Sequence, residues 1–337
     1  MIWCGDLHQE ILTAFYLFGN IPHITASLDF LCEDTQSGEW INNIPTYSAW
    51  WVICLCDYCR LSGNMEYFQK NRAYAIEIIQ RIDKDIHKDG TIDFCSVKSG
   101  MPFFLDWPTF GTEDAVIGTA ALILMMVNCF YKMEKHPSCE SIRNKLIVYL
   151  KMPCKTKQVR AFQILAGGEK ANAMEFIEKD GADGFSTFMA YYILSADAIA
   201  GGSAMPKLIK EYFGGMLERG ATTFWEDFDL KWLIGSGRID CLPQEQEKDI
   251  HGDFGRYCYK GFRHSLCHGW SSGVLSFIIE YMMGIHIADG GECIIVDPHP
   301  FDVDEMFAEI PVKNGILSVS IQHGKANYII KSLPSVL

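Results

Sequence analysis

Eleven consecutive segments of this sequence repeat apolar residues at helical spacing, and this pattern constrains the fold more than any other feature. Glycine-containing turns such as Ser62-Gly63-Asn64 and Gly201-Gly202 separate the segments, and short turns of this kind join antiparallel helices. The sequence therefore predicts an all-α fold of helical hairpins over residues 1–286. The predicted helices are residues 9–19, 22–34, 44–63, 64–86, 110–132, 138–153, 157–167, 169–178, 186–201, 202–218 and 271–284.

The pattern changes to short alternating strands from about residue 288. Turn residues at 313–315 and 323–325 divide these strands. A small antiparallel β domain over residues 287–337 is therefore predicted to follow the helices. Its strands are expected at Cys293–Val296, Glu309–Lys313, Gly315–Ile321 and Asn327–Lys331.

Composition narrows the classes of partner. The formal net charge is −13 and the sequence has no lysine or arginine run, which argues against a nucleic-acid or anionic-membrane partner. The longest apolar run, around Ala120–Val127, is too short for a membrane span and predicts a buried helix. The 13 scattered cysteines and the absence of signal-peptide features in the first residues favour a reducing, cytoplasmic compartment.

The sequence RGATTFWEDF at residues 219–228 places two carboxylates directly after an indole. Indole faces cover the apolar face of a sugar ring, and carboxylates accept hydroxyl protons or activate a water. Trp225, Glu226 and Asp227 therefore predict a carbohydrate site. The alternative is the capped end of a helix with a partly buried Trp225.

Three long connections carry many aromatic and acidic residues: the N-terminal segment, residues 88–109 and residues 219–270. Long connections inside a compact domain are usually functional or disordered, and this composition argues against disorder. We expect the loops of the hairpins to gather on one side, where the site would lie.

Four short segments carry a resemblance to a known family. Residues 2–6 (IWCGD) are similar to a GW-x-GD motif, and residues 105–107 (LDW) to a GDW element. Residues 220–226 (GATTFWE) are similar to a GATT-x-WE segment, and residues 265–269 (SLCHG) to an SLNH-x element. With these motifs in this order, the chain resembles the catalytic domain of the bacterial α-L-rhamnosidases, glycoside hydrolase family 78. These enzymes are six-hairpin glycosidases with an (α/α)6 toroid, followed by a β domain.

The resemblance implies roles for individual residues. Glu226 falls on the family's general base, which deprotonates the attacking water, and Asp6 falls on a carboxylate that binds the sugar. An inverting glycosidase needs two carboxyl groups roughly 6.5–9.5 Å apart. We therefore expect Glu226 and Asp6 to form the catalytic pair. Asp6 could also be the N-cap of a helix that starts near Gln9, and the two roles can coexist.

Five further side chains are expected to bind the sugar. The resemblance implies this role for two tryptophans and a histidine, with a looser match at a tyrosine, and Trp225 joins them because it adjoins Glu226. The alternative for Trp3 and Trp107 is an ordinary core position, and for His268 a satisfied buried site. The predicted substrate-binding residues are Trp3, Tyr47, Trp107, Trp225 and His268.

The chain also departs from the family pattern. The family's general acid lies a few positions before the GW-x-GD motif, but Met1 stands only two positions before Trp3. An (α/α)6 toroid has twelve helices and the sequence predicts eleven. We therefore expect the first helix and the acid to lie upstream in a longer protein. Cys4 and Cys267 replace the family's threonine and asparagine, which leaves rhamnose and related sugars open.

The expected function is that of an inverting glycoside hydrolase of α-L-rhamnosidase type, and the alternative is a degenerate, non-catalytic carbohydrate-binding fragment. Water is the nucleophile, so no cofactor is expected, and the partner is a carbohydrate. Without the first helix, the flanks of the 9–19 and 271–284 helices would be uncovered and would favour a homo-oligomer.

Two other sites compete with this interpretation. Residues 269–273 fit the G-x-S-x-G pattern of a serine hydrolase, although no alternation of strands and helices surrounds them. A zinc site from Cys258, His264, Cys267 and His268 would use suitable ligands at a spacing that matches no common zinc pattern.

Overall fold

A computed structural model describes residues 2–241, 265–313 and 315–332. The chain divides into two compact units. The first unit comprises Met1–Pro102, Ile123–Ile147 and Leu275–Leu337, and the second comprises Phe103–Leu122 and Val148–Val274.

The first unit contains long helices joined by short turns. They are α1 (Cys4–Phe18), α2 (Pro22–Asp34), α3 (Pro45–Ser62), α4 (Met65–Lys84) and α6 (Pro137–Leu146). Helix α3 packs against α1, α2 and α4, while α4 also packs against α6. Most side chains of α3 are buried, which explains its almost continuous apolar sequence.

The second unit contains shorter helices. They are α7 (Lys157–Leu165), α8 (Ala173–Glu178), α9 (Ala190–Ala200) and α10 (Met205–Glu218). Helices α7, α8 and α10 all contact α9, whose first eight residues are buried. A glycine in the left-handed conformation, Gly201, ends α9 at the predicted turn.

Two further helices run from the second unit into the first along the chain: α5 (Asp114–Met133) and α11 (Gly273–Phe277). Helix α5 has the length and hydropathy of a membrane span, but 72% of its apolar window is buried inside the protein, as in a core helix. The buried helix predicted around Ala120–Val127 is therefore observed. A π-helical turn at Ile278–Met282 extends α11.

The β region belongs to the first unit. Strands β1 (Ile285–Ala288) and β2 (Cys293–Val296) form an antiparallel pair. Strands β3 (Glu305–Val312), β4 (Gly315–Gln322) and β5 (Lys325–Ser332) form an antiparallel sheet in that order. Helix α1 packs against β3. The sequence prediction missed only β1 among the described strands, and the division at residues 286 and 287 stays a prediction.

The start of α1 differs from the prediction. The helix begins at Cys4 rather than near Gln9, so Asp6 lies in its first turn and is not the N-cap. The cap comes from a distant residue, because the Cys4 N–H donates to Asn42 Oδ1 at 3.0 Å. The alternative role of Asp6 as a helix cap is therefore wrong.

The described residues contain eleven α-helices and two small antiparallel sheets. Local signals mark many helix ends as expected. The Asn64 side chain accepts from the Tyr67 N–H, and the Thr156 side chain accepts from the Val159 N–H. The predicted all-α fold with a small β region is confirmed.

Candidate functional site

The segment that carries Glu226 is held along its backbone by side chains of the second unit. The Glu226 carbonyl accepts from Trp270 Nε1 at 2.8 Å and from the Thr187 hydroxyl. The Trp225 carbonyl accepts from the Ser271 hydroxyl, and the Phe228 carbonyl from the Tyr212 hydroxyl at 2.7 Å. Each of these donors is buried. The segment is therefore fixed in place despite lying outside the regular helices.

A second short segment runs beside the first. The Glu226 N–H donates to the Ser265 carbonyl and the His268 N–H to the Phe224 carbonyl, each at 2.8 Å. These two bonds join the segments that resemble GATT-x-WE and SLNH-x. The structure therefore brings Glu226 and His268 together, although 42 positions separate them in the sequence.

The Glu226 carboxylate is itself oriented. The side chain is only 6% exposed, and its Oε2 accepts from the Ser265 N–H at 2.7 Å. A backbone N–H at this distance stabilises the charged carboxylate and fixes its direction. Such a group can accept a proton from a water held next to it.

His268 is held as a neutral imidazole. Burial lowers its pKa from the ordinary value to about 4. Its Nδ1 accepts from the Trp270 N–H at 3.4 Å, so the ring proton lies on Nε2. The ring also lies 4.8 Å from the Trp270 ring. His268 can therefore donate a hydrogen bond to a sugar hydroxyl over most of the pH range.

The Asp106-Trp107 turn is tied to the same region of the second unit. Asp106 is buried and accepts from the Thr109 N–H at 3.1 Å and the Ser186 hydroxyl at 2.6 Å. The next residue, Thr187, holds the Glu226 carbonyl. Residues 186 and 187 therefore link the turn that carries Trp107 to the segment that carries Glu226.

Trp107 is half-buried, and its ring meets Phe104 edge to face at 5.1 Å between centroids. Its partial exposure leaves part of the indole able to contact a ligand. Sequence reasoning placed Trp107 in the pocket but missed the supporting Ser186 and Thr187. These two small hydroxyl residues lie in the turn just before Ala190, and such residues carry no local signal for this role.

Asp227 is a buried carboxyl group that the sequence placed in the carbohydrate site without a specific role. It is 4% exposed, and its Oδ2 has no hydrogen-bond partner among the described residues. Burial, and then the neighbouring Glu226 and Asp106 charges, raise the pKa of Asp227 to about 7. Burial also raises the pKa of Asp106. Ionising Asp227 therefore adds a second negative charge to a site that already holds Glu226.

We expect Asp227→Asn to change the pH dependence of stability. Because the folded-state pKa is raised, the favourable contribution of Asp227 is fully present below its unfolded pKa of about 4 and is lost as pH rises through about 7. Asparagine cannot ionise. Relative to the native protein, the variant should therefore gain on the order of 2 kcal/mol in free energy of unfolding between about pH 5 and about pH 9.

Urea denaturation at the two pH values measures this difference. Asp180→Asn makes the same charge change at an exposed side chain of the second unit and controls for net charge. If the free energies of unfolding of the Asp227→Asn variant and the native protein differed by the same amount at both pH values, the raised pKa of Asp227 would be contradicted.

Trp225 does not occupy the position expected of a sugar platform. Its side chain is 0% exposed and meets Phe228 edge to face at 5.9 Å between centroids. A fully buried indole has no free face for a pyranose. Trp225 is therefore a core residue, which differs both from the predicted substrate-binding role and from the partly buried tryptophan of the alternative.

The first unit holds the other predicted residues near the start of α1. Trp3 is 45% exposed and meets Tyr47 edge to face at 6.3 Å between centroids. A Cβ on Gly5 would lie 2.5 Å from Tyr47 Cε1, so only glycine lets the tyrosine ring pack here. Asp6 is 9% exposed. Trp3, Asp6 and Tyr47 therefore share one neighbourhood, and their roles stay predictions.

The two competing sites receive no support from the described residues. The Ser271 hydroxyl donates to the Trp225 carbonyl in a buried 3₁₀ turn, and the described residues directly before this turn, 265–268, form no strand, so the serine-hydrolase alternative is wrong. Cys258 and His264 of the zinc alternative lie outside the described residues. No group of three metal-binding side chains occurs in the described part of the chain.

No family model and no curated protein matches this sequence. Solved structures share its fold. A family 78 rhamnosidase of Bacillus sp. GL1 covers 95% of this chain with a TM-score of 0.69 at 17% identity. A rhamnosidase from Klebsiella oxytoca with rhamnose bound covers 83% with a TM-score of 0.62 at 18% identity. An α-L-rhamnosidase of Streptomyces avermitilis complexed with L-rhamnose covers 95% with a TM-score of 0.65 at 13% identity.

The fold predicted from four short motifs is thereby confirmed: the chain has the fold of the α-L-rhamnosidase structures over nearly its whole length. The chain spans 36%, 58% and 32% of these three proteins, respectively.

Proposed function

We propose that this protein is an inverting glycoside hydrolase of α-L-rhamnosidase type, which removes terminal α-L-rhamnose or a related sugar from glycosides. The observation that carries the proposal is the buried, oriented Glu226 carboxylate in a fold shared with rhamnosidases. Two of those structures contain rhamnose, which supports the sugar class.

Glu226 acts as the general base. It takes a proton from a water as the water attacks the anomeric carbon, and the bond to the leaving group breaks. The Ser265 N–H holds one carboxylate oxygen, and the clamped backbone keeps the group from turning away. Such prior positioning lowers the entropic cost of aligning base and water.

His268 and Trp107 bind the sugar in this proposal. The neutral imidazole donates from Nε2 to a hydroxyl, and the half-buried indole covers apolar C–H groups. The sequence resemblance assigns Asp6, Trp3 and Tyr47 to the same sugar. Asp6 is the second carboxylate of the expected catalytic pair, beside Glu226.

Hydrolysis of a panel of para-nitrophenyl glycosides tests the proposal. These leaving groups need little protonation, so the assay depends mainly on the base and the sugar pocket. We expect turnover of the α-L-rhamnoside above that of the β-D-glucoside and α-L-arabinofuranoside. Binding of L-rhamnose without hydrolysis of any member would instead favour the degenerate, non-catalytic alternative.

We expect Trp107→Ala to weaken binding of L-rhamnose by about 2- to 10-fold, because an aromatic face contributes roughly 0.5–1.5 kcal/mol beyond its buried area. Calorimetric titration measures the affinity. Phe110→Ala removes an exposed aromatic from the same turn and serves as the matched control. An equal loss of affinity in both variants would argue against a specific contact by Trp107.

A further inference from the structure

A separate cavity of about 370 Å³ lies within the first unit, where α1 and α3 end beside β3. Phe18, Asn20, Ser62 and Lys313 line it, among other residues. None of them belongs to the segments assigned to the proposed active site. The volume is at the small end of the range for ligand pockets and suits one or two sugar units.

Close backbone contacts define the wall of this cavity. Gly290 has a φ of +68°, and a Cβ there would lie 3.0 Å from the Ser62 carbonyl oxygen. The Lys313 N–H donates to the Gly290 carbonyl at 2.7 Å. The end of α3 and the end of β3 are therefore both fixed against the loop at Gly290, and the cavity is preformed.

The polar groups around the cavity are neutral or compensated. The Lys313 ammonium donates to Glu292 Oε1 at 2.8 Å, so it offers no unpaired charge. Asn20 Oδ1 accepts from the Tyr58 hydroxyl at 3.0 Å, which turns the amide N–H groups toward other acceptors. Ser62 Oγ accepts from the Asn64 N–H at 3.2 Å and keeps its own proton to donate. This set suits hydroxyl groups better than ions.

An exposed aromatic ring completes the lining. Phe18 is the last residue of α1 and is 65% exposed, which is unusual for a phenylalanine. Next to neutral hydrogen-bonding groups, such a ring can cover the C–H face of a pyranose.

We propose that this cavity is a second binding site for a neutral carbohydrate, distinct from the site of Glu226. Phe18 covers one face of the sugar, and the Asn20 amide and the Ser62 hydroxyl donate to its oxygens. The site holds sugar without acting on it, because its one charged group is engaged by Glu292 and no carboxylate lines the cavity.

Saturation-transfer NMR with L-rhamnose, D-galactose and cellobiose as probes tests this site in the full chain. We expect at least one of these sugars to bind in the millimolar range. Phe18→Ala should weaken that binding about fivefold, because the aromatic face is lost. Phe18→Tyr keeps the ring and should preserve the affinity. Leu17→Ala is the matched control, since Leu17 is 48% exposed on the same turn but does not line the cavity.

Trp107→Ala weakens sugar binding at the proposed active site and leaves the cavity unchanged, so Phe18→Ala is measured in both the native and the Trp107→Ala backgrounds. A similar loss of affinity, about fivefold, in both backgrounds supports the second site, whether or not the protein hydrolyses rhamnosides. The inference is overturned if Phe18→Ala leaves the binding of every probe sugar unchanged in the Trp107→Ala background, or if none of the three sugars binds.

Discussion

Replacing Glu226 with glutamine should lower the turnover of para-nitrophenyl α-L-rhamnoside by about 10²- to 10⁴-fold, the usual contribution of a general base. The amide keeps the shape of the side chain but cannot accept the proton of the attacking water. Binding of L-rhamnose should change little, because the sugar contacts of Trp107 and His268 remain. Steady-state kinetics and calorimetric titration measure the two effects separately.

Glu218→Gln is the matched control for this experiment. Glu218 is exposed at the end of α10, eight positions before Glu226. Its replacement by glutamine makes the same chemical change at a position outside the site. Its turnover should equal that of the native protein. Near-normal turnover of the Glu226→Gln variant would show that another group acts as the base.

Trp225→Ala should lower the free energy of unfolding far more than Trp107→Ala. The indole is 0% exposed, and truncating a buried tryptophan to alanine costs about 3–5 kcal/mol through lost contacts and the remaining cavity. Trp107→Ala should cost much less because that ring is half-buried. Urea denaturation of both variants gives the free energies of unfolding.

The comparison distinguishes a core tryptophan from a sugar platform. If Trp225→Ala left the free energy of unfolding nearly unchanged and abolished L-rhamnose binding, the sugar-binding prediction for Trp225 would be restored. The reverse pattern agrees with the packing of Trp225 against Phe228.

Helical periodicity was enough to predict the succession of hairpins, because each helix buries one face and repeats that face in its sequence. The predicted helix ends were wrong where contacts with residues distant in the sequence determine them. Helix α1 starts at Cys4 because Asn42 caps it, and a local pattern cannot contain that contact. Strand β1 was missed because only two residues separate it from the π-helical turn before it, so its apolar residues continue the helical pattern.

In the candidate site, too, local motifs predicted some features, whereas contacts with distant residues determine others. Glu226 and His268 could be predicted because they lie in recognisable motifs. The burial of Trp225 and Asp227 could not, since side-chain directions along a short extended segment depend on its partners. Those partners, Thr187 and Trp270, come from separate regions of the second unit.

The configuration of the first sugar released tests the central claim most directly. Proton NMR can follow the native protein acting on para-nitrophenyl α-L-rhamnoside before the anomers equilibrate. Direct attack by a water that Glu226 deprotonates predicts β-L-rhamnose as the first product, with inversion at the anomeric carbon. Initial release of α-L-rhamnose, or no release at any enzyme concentration, would contradict the proposed mechanism.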